Sequence, residues 1–188
     1  MADHYDQRRL RKMAELAVGE SILDVGCAQL PNPYLRARQV VGLDLAEMDV
    51  RPPYTDHVVG NVEAAPDLLG GRLFDSVLLG EIIEHIERPY DVLRLLRRLL
   101  ARGGRLILST PNPLGIPVVF AEYLLLRKLY YTTDHKFYFP PRWVWRLLEG
   151  SGYRVVRTIG CGVSLMGWRL PAPRSLSYQL LYVAEPAP

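Results

Sequence analysis

The chain is poor in the residues that staple or anchor a protein. It has two cysteines, Cys27 and Cys161, in 188 residues. They form no CxxC or Cys/His zinc pattern, so a disulfide framework and a structural zinc are not indicated and a reducing compartment is expected. Histidine is scarce too, with four in all, so each one is worth placing. No long apolar run exists: the longest uncharged stretch, Leu106 to Ala121, is broken by Pro111, Pro113 and Pro117 and is too short to span a bilayer. The start, MADHYDQRRLRK, lacks the apolar core of a secretory signal. Internal repeats, low-complexity linkers and a strong charge bias are also missing. A net charge of +3 with 49% hydrophobic and 23% charged residues is ordinary for a globular protein. These features lead us to expect a soluble, cytoplasmic protein of one domain spanning residues 1–188.

What is present is a rhythm of short apolar runs and amphipathic segments. Residues 3–18 carry Leu10, Met13, Leu16 and Ala17 at helical spacing and end at Gly19, so residues 1–19 are read as an N-terminal helix covering an edge or cleft. Strands are expected at Ser21–Cys27, Gln39–Leu45, His57–Asn61, Phe74–Gly80, Arg105–Thr110, Tyr153–Gly160 and Gln179–Ala184. A helix is expected from about Glu81 to Ala101, with leucines 93, 96, 99 and 100 facing a core and Gly103-Gly104 closing it. An aromatic-rich helix over Ile116–Tyr131 and another from Pro140-Pro141 to Gly150 follow, and the connection before the last strand is expected to be irregular. Strands alternating with helices argue for a doubly wound, mostly parallel α/β sheet with helices on both faces.

Four segments carry a resemblance: ILDVGCA at 22–28, VVGLDLA at 40–46, FDSVLLGEIIEHIERP at 74–89 and LLARGGRLILSTPNP at 99–113. Together they resemble the class I S-adenosylmethionine-dependent methyltransferases. The resemblance implies a Rossmann-like seven-stranded sheet whose last strand runs antiparallel, and a cofactor at the carboxyl ends of the strands near the switch point. It implies cofactor contacts at Asp24, Gly26, Cys27, Ala28, Asp44, Leu45, Asn61, Val62, Leu79 and Gly80. Among these, Gly26 packs against the methionine part, Asp44 accepts from the ribose hydroxyls, Asn61 and Val62 meet the adenine, and Leu79-Gly80 meet the methionine end. The glycine run departs from the family pattern at Ala28 and Leu30, and Pro31 and Pro33 suggest a short or distorted first helix. An NAD-binding domain is the main competitor, but GCAQLP lacks a full GxGxxG.

The stretch Glu81-Ile-Ile-Glu-His85 holds the densest chemistry. On a helix, Glu81, Glu84 and His85 share one face. They have a bland use, in capping and backbone hydrogen bonds, and a sharp one, in holding magnesium, manganese or zinc. His135, in DHKFYF, offers a further ligand. ExxEH followed by STPNP and DHKF resembles the small-RNA 3′-terminal 2′-O-methyltransferases, in which both glutamates and both histidines hold a metal, and the ubiquinone-pathway O-methyltransferases share the ExxEH segment. Without a metal, His85 or His135 is the candidate general base.

Residues 114–142 lie where such proteins insert acceptor-recognition elements, and we read them as a lid. The expected acceptor is a hydroxyl of a small molecule, lipid or saccharide, with peripheral membrane contact open and a monomer or homodimer expected. An RNA acceptor is less favoured, because the arginines at 94, 97, 98, 102 and 105 are explained by a solvated helix face and no RNA-binding domain is appended. The reading from another class is a cofactor-binding module without catalysis.

Overall fold

The structure, a computed structural model, describes residues 4–124, 135–165 and 168–188. Strands β1 (Ser21–Val25), β2 (Gln39–Asp44), β3 (Asp56–Val59), β4 (Phe74–Gly80), β5 (Leu100–Pro111), β6 (Tyr153–Gly160) and β9 (Gln179–Pro186) build one seven-stranded sheet in the order β3-β2-β1-β4-β5-β9-β6. The first five pair in parallel, while β9 is antiparallel to both β5 and β6. A separate hairpin, β7 (Val163–Leu165) with β8 (Trp168–Leu170), occupies part of the connection that the sequence marked as irregular.

Alternation along each central strand divides the core between two faces. Leu23 and Val25 of β1, Val77 and Leu79 of β4, and Leu106 and Leu108 of β5 pack on one side. There they meet Val92, Leu93 and Leu96 of helix α3 (Pro89–Arg98) and Val144, Leu147 and Leu148 of helix α5 (Pro141–Gly150); the short helix α2 (Ala65–Leu68) lies on the same side through Ala65. Ile22, Leu78, Ile107 and Leu181 point to the other side, against Met13 of helix α1 (His4–Leu16) and Leu35 and Tyr54 of the loops. The helix expected at the N-terminus is present, and it packs on the face of the central strands rather than over an edge or cleft.

Three expectations are corrected. The segment after β4 is not one helix from Glu81 to Ala101: Glu81 has a left-handed φ of 57°, Ile83–His85 form a 3₁₀ turn, and α3 begins only at Pro89. Pro89 has no N–H to donate and disfavours helical backbone at Arg88, so a helix can start at Pro89 but not run through it. Gly103-Gly104 do not cap α3, which ends at Arg98 with Leu99 beyond it. They lie inside β5 where its register against β4 shifts, and a Cβ on Gly104 would stand 3.0 Å from three carbonyl oxygens. Third, no helix forms between β1 and β2; that stretch is turns and bends. Of the aromatic-rich segment, helix α4 (Ile116–Leu124) is described, and the part expected to continue to Tyr131, with the polar 132–134, lies outside the described residues.

Candidate active site

The chain leaves β1 toward β2 and β3, then crosses back to β4, so the switch point lies between the carboxyl ends of β1 and β4. Gly26 follows β1 with φ 77°, and a Cβ there would come within 2.2 Å of Ile82 Cδ1. Only glycine adopts this turn without strain, and the Ile82 side chain packs against it at the switch-point crevice between β1 and β4. Asp44, closing β2, accepts from the Ala28 N–H through Oδ2 (2.8 Å) and from the Ala46 N–H through Oδ1 (3.0 Å). The carboxylate is thus aimed over the glycine turn, with a lone pair on each oxygen still available. Leu45 beside it is 72% exposed. Asn61 Oδ1 accepts from the Glu63 N–H (2.9 Å) and caps the 3₁₀ turn Val62–Ala64. Leu79 is buried, and Gly80 leaves room for the Arg9 guanidinium, whose Nη1 would be 2.7 Å from a Cβ there.

Asp24 and Cys27 lie deeper. Asp24 is buried and accepts from Tyr54 Oη at 2.5 Å; the same hydroxyl accepts from the Asn32 N–H at 2.8 Å. Asn32 Nδ2 in turn donates to Leu10 O at 3.0 Å. This chain of bonds ties the helix-free loop to β1 and α1, and burial pushes the Asp24 carboxyl up to about 6 against the lowering by Tyr54 and Arg9. Cys27 packs with its Sγ 3.7 Å from Met48 Sδ. Burial, with Asp24 and Asp44 nearby, raises its thiol far above the range of a reactive cysteine.

The acid–histidine stretch divides between two groups. Glu81 Oε1 accepts from Ser109 Oγ (2.8 Å) and Oε2 from Gln179 Nε2 (3.1 Å), while Arg9 Nη1 donates to Ser109 Oγ at 3.4 Å. Glu84 is buried and accepts from Thr110 Oγ1 (3.2 Å); its main-chain carbonyl takes the N–H groups of Lys136 (2.9 Å) and Phe137 (3.2 Å). Those two bonds draw the 135–137 segment across the end of β4, and the His85 and His135 rings meet edge to face with centroids 4.8 Å apart. One ligand atom each from Glu84, His85 and His135 lies within 4.8 Å of the others. Glu81, expected to ligate together with Glu84, His85 and His135, stands outside this group. Burial first, and the neighbouring Glu81 charge second, hold the Glu84 carboxyl well above the usual carboxylate range.

Arg9, Tyr54, Ser109, Thr110 and Gln179 were not singled out in the sequence. Their contacts span long sequence separations, and only the polar residues at the end of the apolar β5 run, STPN, hinted at them.

Comparison with known proteins agrees with this geometry. The ubiquinone biosynthesis O-methyltransferase of Dinoroseobacter shibae is 32% identical over 152 residues, covering 73% of this chain and 61% of that protein. The enzyme of the same description from a Caulobacter species is 30% identical over 179 residues, covering 86% and 71%. The chain thus spans less than two thirds of the first relative's length. Among solved structures, a SAM-dependent methyltransferase from Archaeoglobus fulgidus superposes with a TM-score of 0.69 at 17% identity, covering 95% of this chain and 91% of that one. Magnesium protoporphyrin IX methyltransferase from Synechocystis, solved with bound SAH, gives 0.65 at 16%, covering 96% and 83%. Residues 2–158 match the family described as a methyltransferase domain, and with the seven-stranded sheet and its glycine turn they place the chain in that family.

Proposed function

We propose that the protein is an S-adenosylmethionine-dependent O-methyltransferase acting on a hydroxyl of a small or lipid-like molecule, with a divalent ion at the acceptor side. The observation that carries this reading is the gathering of Glu84, His85 and His135 at the carboxyl end of β4, beside the glycine crevice. The crevice fits the cofactor: Gly26 is a turn only glycine adopts freely, and Asp44 has lone pairs to spare after its two backbone bonds. When bound, S-adenosylmethionine supplies a methyl group on a positively charged sulfur. In this reading Asp44 holds the ribose hydroxyls, Asn61 and Val62 flank the adenine, and Gly26, Leu79 and Gly80 line the methionine end. Asp24, Cys27, Ala28 and Leu45 complete the surroundings.

The ion site fits by its donor set. Glu84 Oε1 is buried without a hydrogen-bond partner, and a carboxylate in that position is stabilised by a cation. Glu84, His85 and His135 would hold magnesium, manganese or zinc, which supplies Lewis-acid activation of an acceptor hydroxyl. Thr110 and the amides of Lys136 and Phe137 fix Glu84, so this chain's own contribution is alignment of the acceptor for an in-line displacement. In this reading the described parts of the acceptor-recognition segment, residues 114–124 and 135–142, belong to a lid. An RNA terminus is not favoured, because Arg97, Arg98 and Arg102 line a groove where β5 begins, at the opposite end of the strand. No helix among the described residues is long and apolar enough to cross a membrane.

Calorimetric titration with S-adenosylhomocysteine tests the cofactor half, with micromolar binding expected. Labelled methyl transfer to a catechol panel, with and without chelator, tests the rest. Activity undiminished by chelator would remove the ion, and absence of cofactor binding at millimolar concentration would remove the enzyme.

A further inference from the structure

A second pocket opens on the α3–α5 face of the sheet, with a volume of about 220 Å³. Its apolar wall is Leu180 of β9, Trp145 and Pro141 of α5, and Leu114 from the turn after β5. Its polar residues are Asn112, Thr158, Ser175 and Arg174, with no carboxylate among them. A cavity of roughly 150 Å³ accommodates benzene, so this space suits one ring with a substituent. The walls are set from within: the Trp145 indole N–H donates to Thr158 Oγ1 (3.1 Å), and Asn112 Nδ2 bonds the carbonyls of Arg174 (3.0 Å) and Ser177 (2.9 Å). Those two bonds use the donors of the Asn112 amide, and its Oδ1 is buried with no partner. Arg174 is exposed at the opening, and no acid bonds its guanidinium among the described residues.

The position of the pocket is set by register. Leu180 pairs with Thr110 across β9 and β5, and directly opposed residues put their side chains on one face about 5 Å apart. Thr110 is the residue that holds Glu84. The pocket is therefore one side chain away from the Glu84–His85–His135 group and on the same face. Pro141 in its wall lies on the segment that follows His135.

We infer that this pocket is the acceptor subsite and that it selects a ring bearing a carboxylate, with the ring against Trp145 and Leu180, the carboxylate at Arg174, and a ring hydroxyl directed toward Glu84, His85 and His135. The inference rests on the O-methyltransferase reading for the word acceptor, while the pocket's own preference is testable without turnover. Apolar walls give the ring its contact area, and a guanidinium facing no competing carboxylate gives the sign of the substituent.

The test is fluorine NMR titration of the full chain with 4-fluorobenzoate and with the neutral 4-fluorobenzyl alcohol. The benzoate is expected to bind about five-fold tighter, the upper range for an exposed charge pair. Arg174→Gln should erase that difference and leave the alcohol unchanged; Leu114→Trp, which fills the pocket from an exposed position, should weaken both. Equal binding of the two ligands to the wild type, no binding of either, or a preference that survives Arg174→Gln would overturn the proposal. Calorimetry with S-adenosylhomocysteine on the same samples keeps the two readings apart. Charge-selective ring binding without cofactor binding retires the methyltransferase and keeps the pocket, whereas cofactor binding with charge-blind ring binding does the reverse.

Discussion

The two halves of the sheet's carboxyl edge are built in opposite ways. On the β1–β3 side the polar groups are aimed by main-chain amides of the turns that follow those strands: Asp44 is held by the amides of Ala28 and Ala46, and Asn61 by that of Glu63. On the β4–β9 side they are held from far along the chain: Glu81 by Ser109 and Gln179, Glu84 by Thr110 and the Lys136 amide. A site made of local turns survives changes elsewhere in the fold and is sensitive to its own backbone. A site made of distant contacts forms only when residues 135–137 and the last strand have docked.

The sharpest way to break the local half is at Gly26. A Gly26→Ala change puts a Cβ into a φ of 77° and within 2.2 Å of Ile82 Cδ1. Backbone strain of about 2 kcal/mol should shift the turn and weaken S-adenosylhomocysteine binding by about thirty-fold, measured by calorimetry. Adding Ile82→Ala relieves the contact and leaves the strain. If the double variant recovers full affinity, sterics rather than the turn govern this half.

The distant half is tested by the two carboxylates three residues apart. Thr110→Val removes a side-chain bond to Glu84 and should weaken manganese binding about ten-fold, as changes behind a metal ligand commonly do. Glu84→Gln should abolish it. Glu81→Gln should leave it within about two-fold while lowering stability by roughly 1–3 kcal/mol, through its bonds to Ser109 and Gln179. Manganese titration by electron paramagnetic resonance, paired with thermal melts, reads both quantities. Equal loss of manganese on Glu81→Gln and Glu84→Gln would merge the two groups into one.

The same contrast decides what could be read from the sequence. Strand β4 and helix α5 begin and end where the apolar periodicity and the prolines put them, because both signals are local. The turn at Gly26 and the end of β2 at Asp44 were legible for the same reason. The helix expected through Glu81 was not formed, since leucine spacing from 93 onward says nothing about the turn that Glu81 makes when Ser109 and Gln179 hold its carboxylate. Likewise Gly103-Gly104 resembled a helix cap, and it is the close approach of β5 to the β4 backbone that places them in a strand. His85 and His135 were expected to meet, but only the hydrogen bonds of Lys136 and Phe137 to the Glu84 carbonyl show how.

Asp24, buried beneath the β1–β3 side and held by Tyr54 from another loop, provides a pH test there. Its carboxyl sits at about 6 in the folded chain, above the ordinary value, because burial outweighs the Tyr54 bond. A raised acid binds its proton more tightly folded than unfolded, so the stability it contributes is fully present below about pH 4 and is lost as pH rises through 6. The loss for a shift of this size is about 3 kcal/mol. Asp24→Asn should remove this pH-dependent part, so the wild-type minus variant melting temperature should fall between pH 4 and 6 and level off above. A difference that stays flat over that window would mean that Asp24 is charged throughout and that Arg9 compensates it.

The smallest effect separates the two uses of Asn61. As a cap, it needs only a side-chain oxygen within reach of the Glu63 N–H, now 2.9 Å away. Serine supplies that as well as asparagine does, whereas alanine costs about 1 kcal/mol. As a contact to the adenine, it needs the longer amide to reach beyond its own turn. Asn61→Ser should therefore keep the wild-type melting temperature and lose cofactor affinity about three-fold, while Asn61→Ala should lose both. If the serine variant binds S-adenosylhomocysteine as the wild type does, Asn61 serves the turn alone, and the adenine is held by the backbone and apolar surface around Val62.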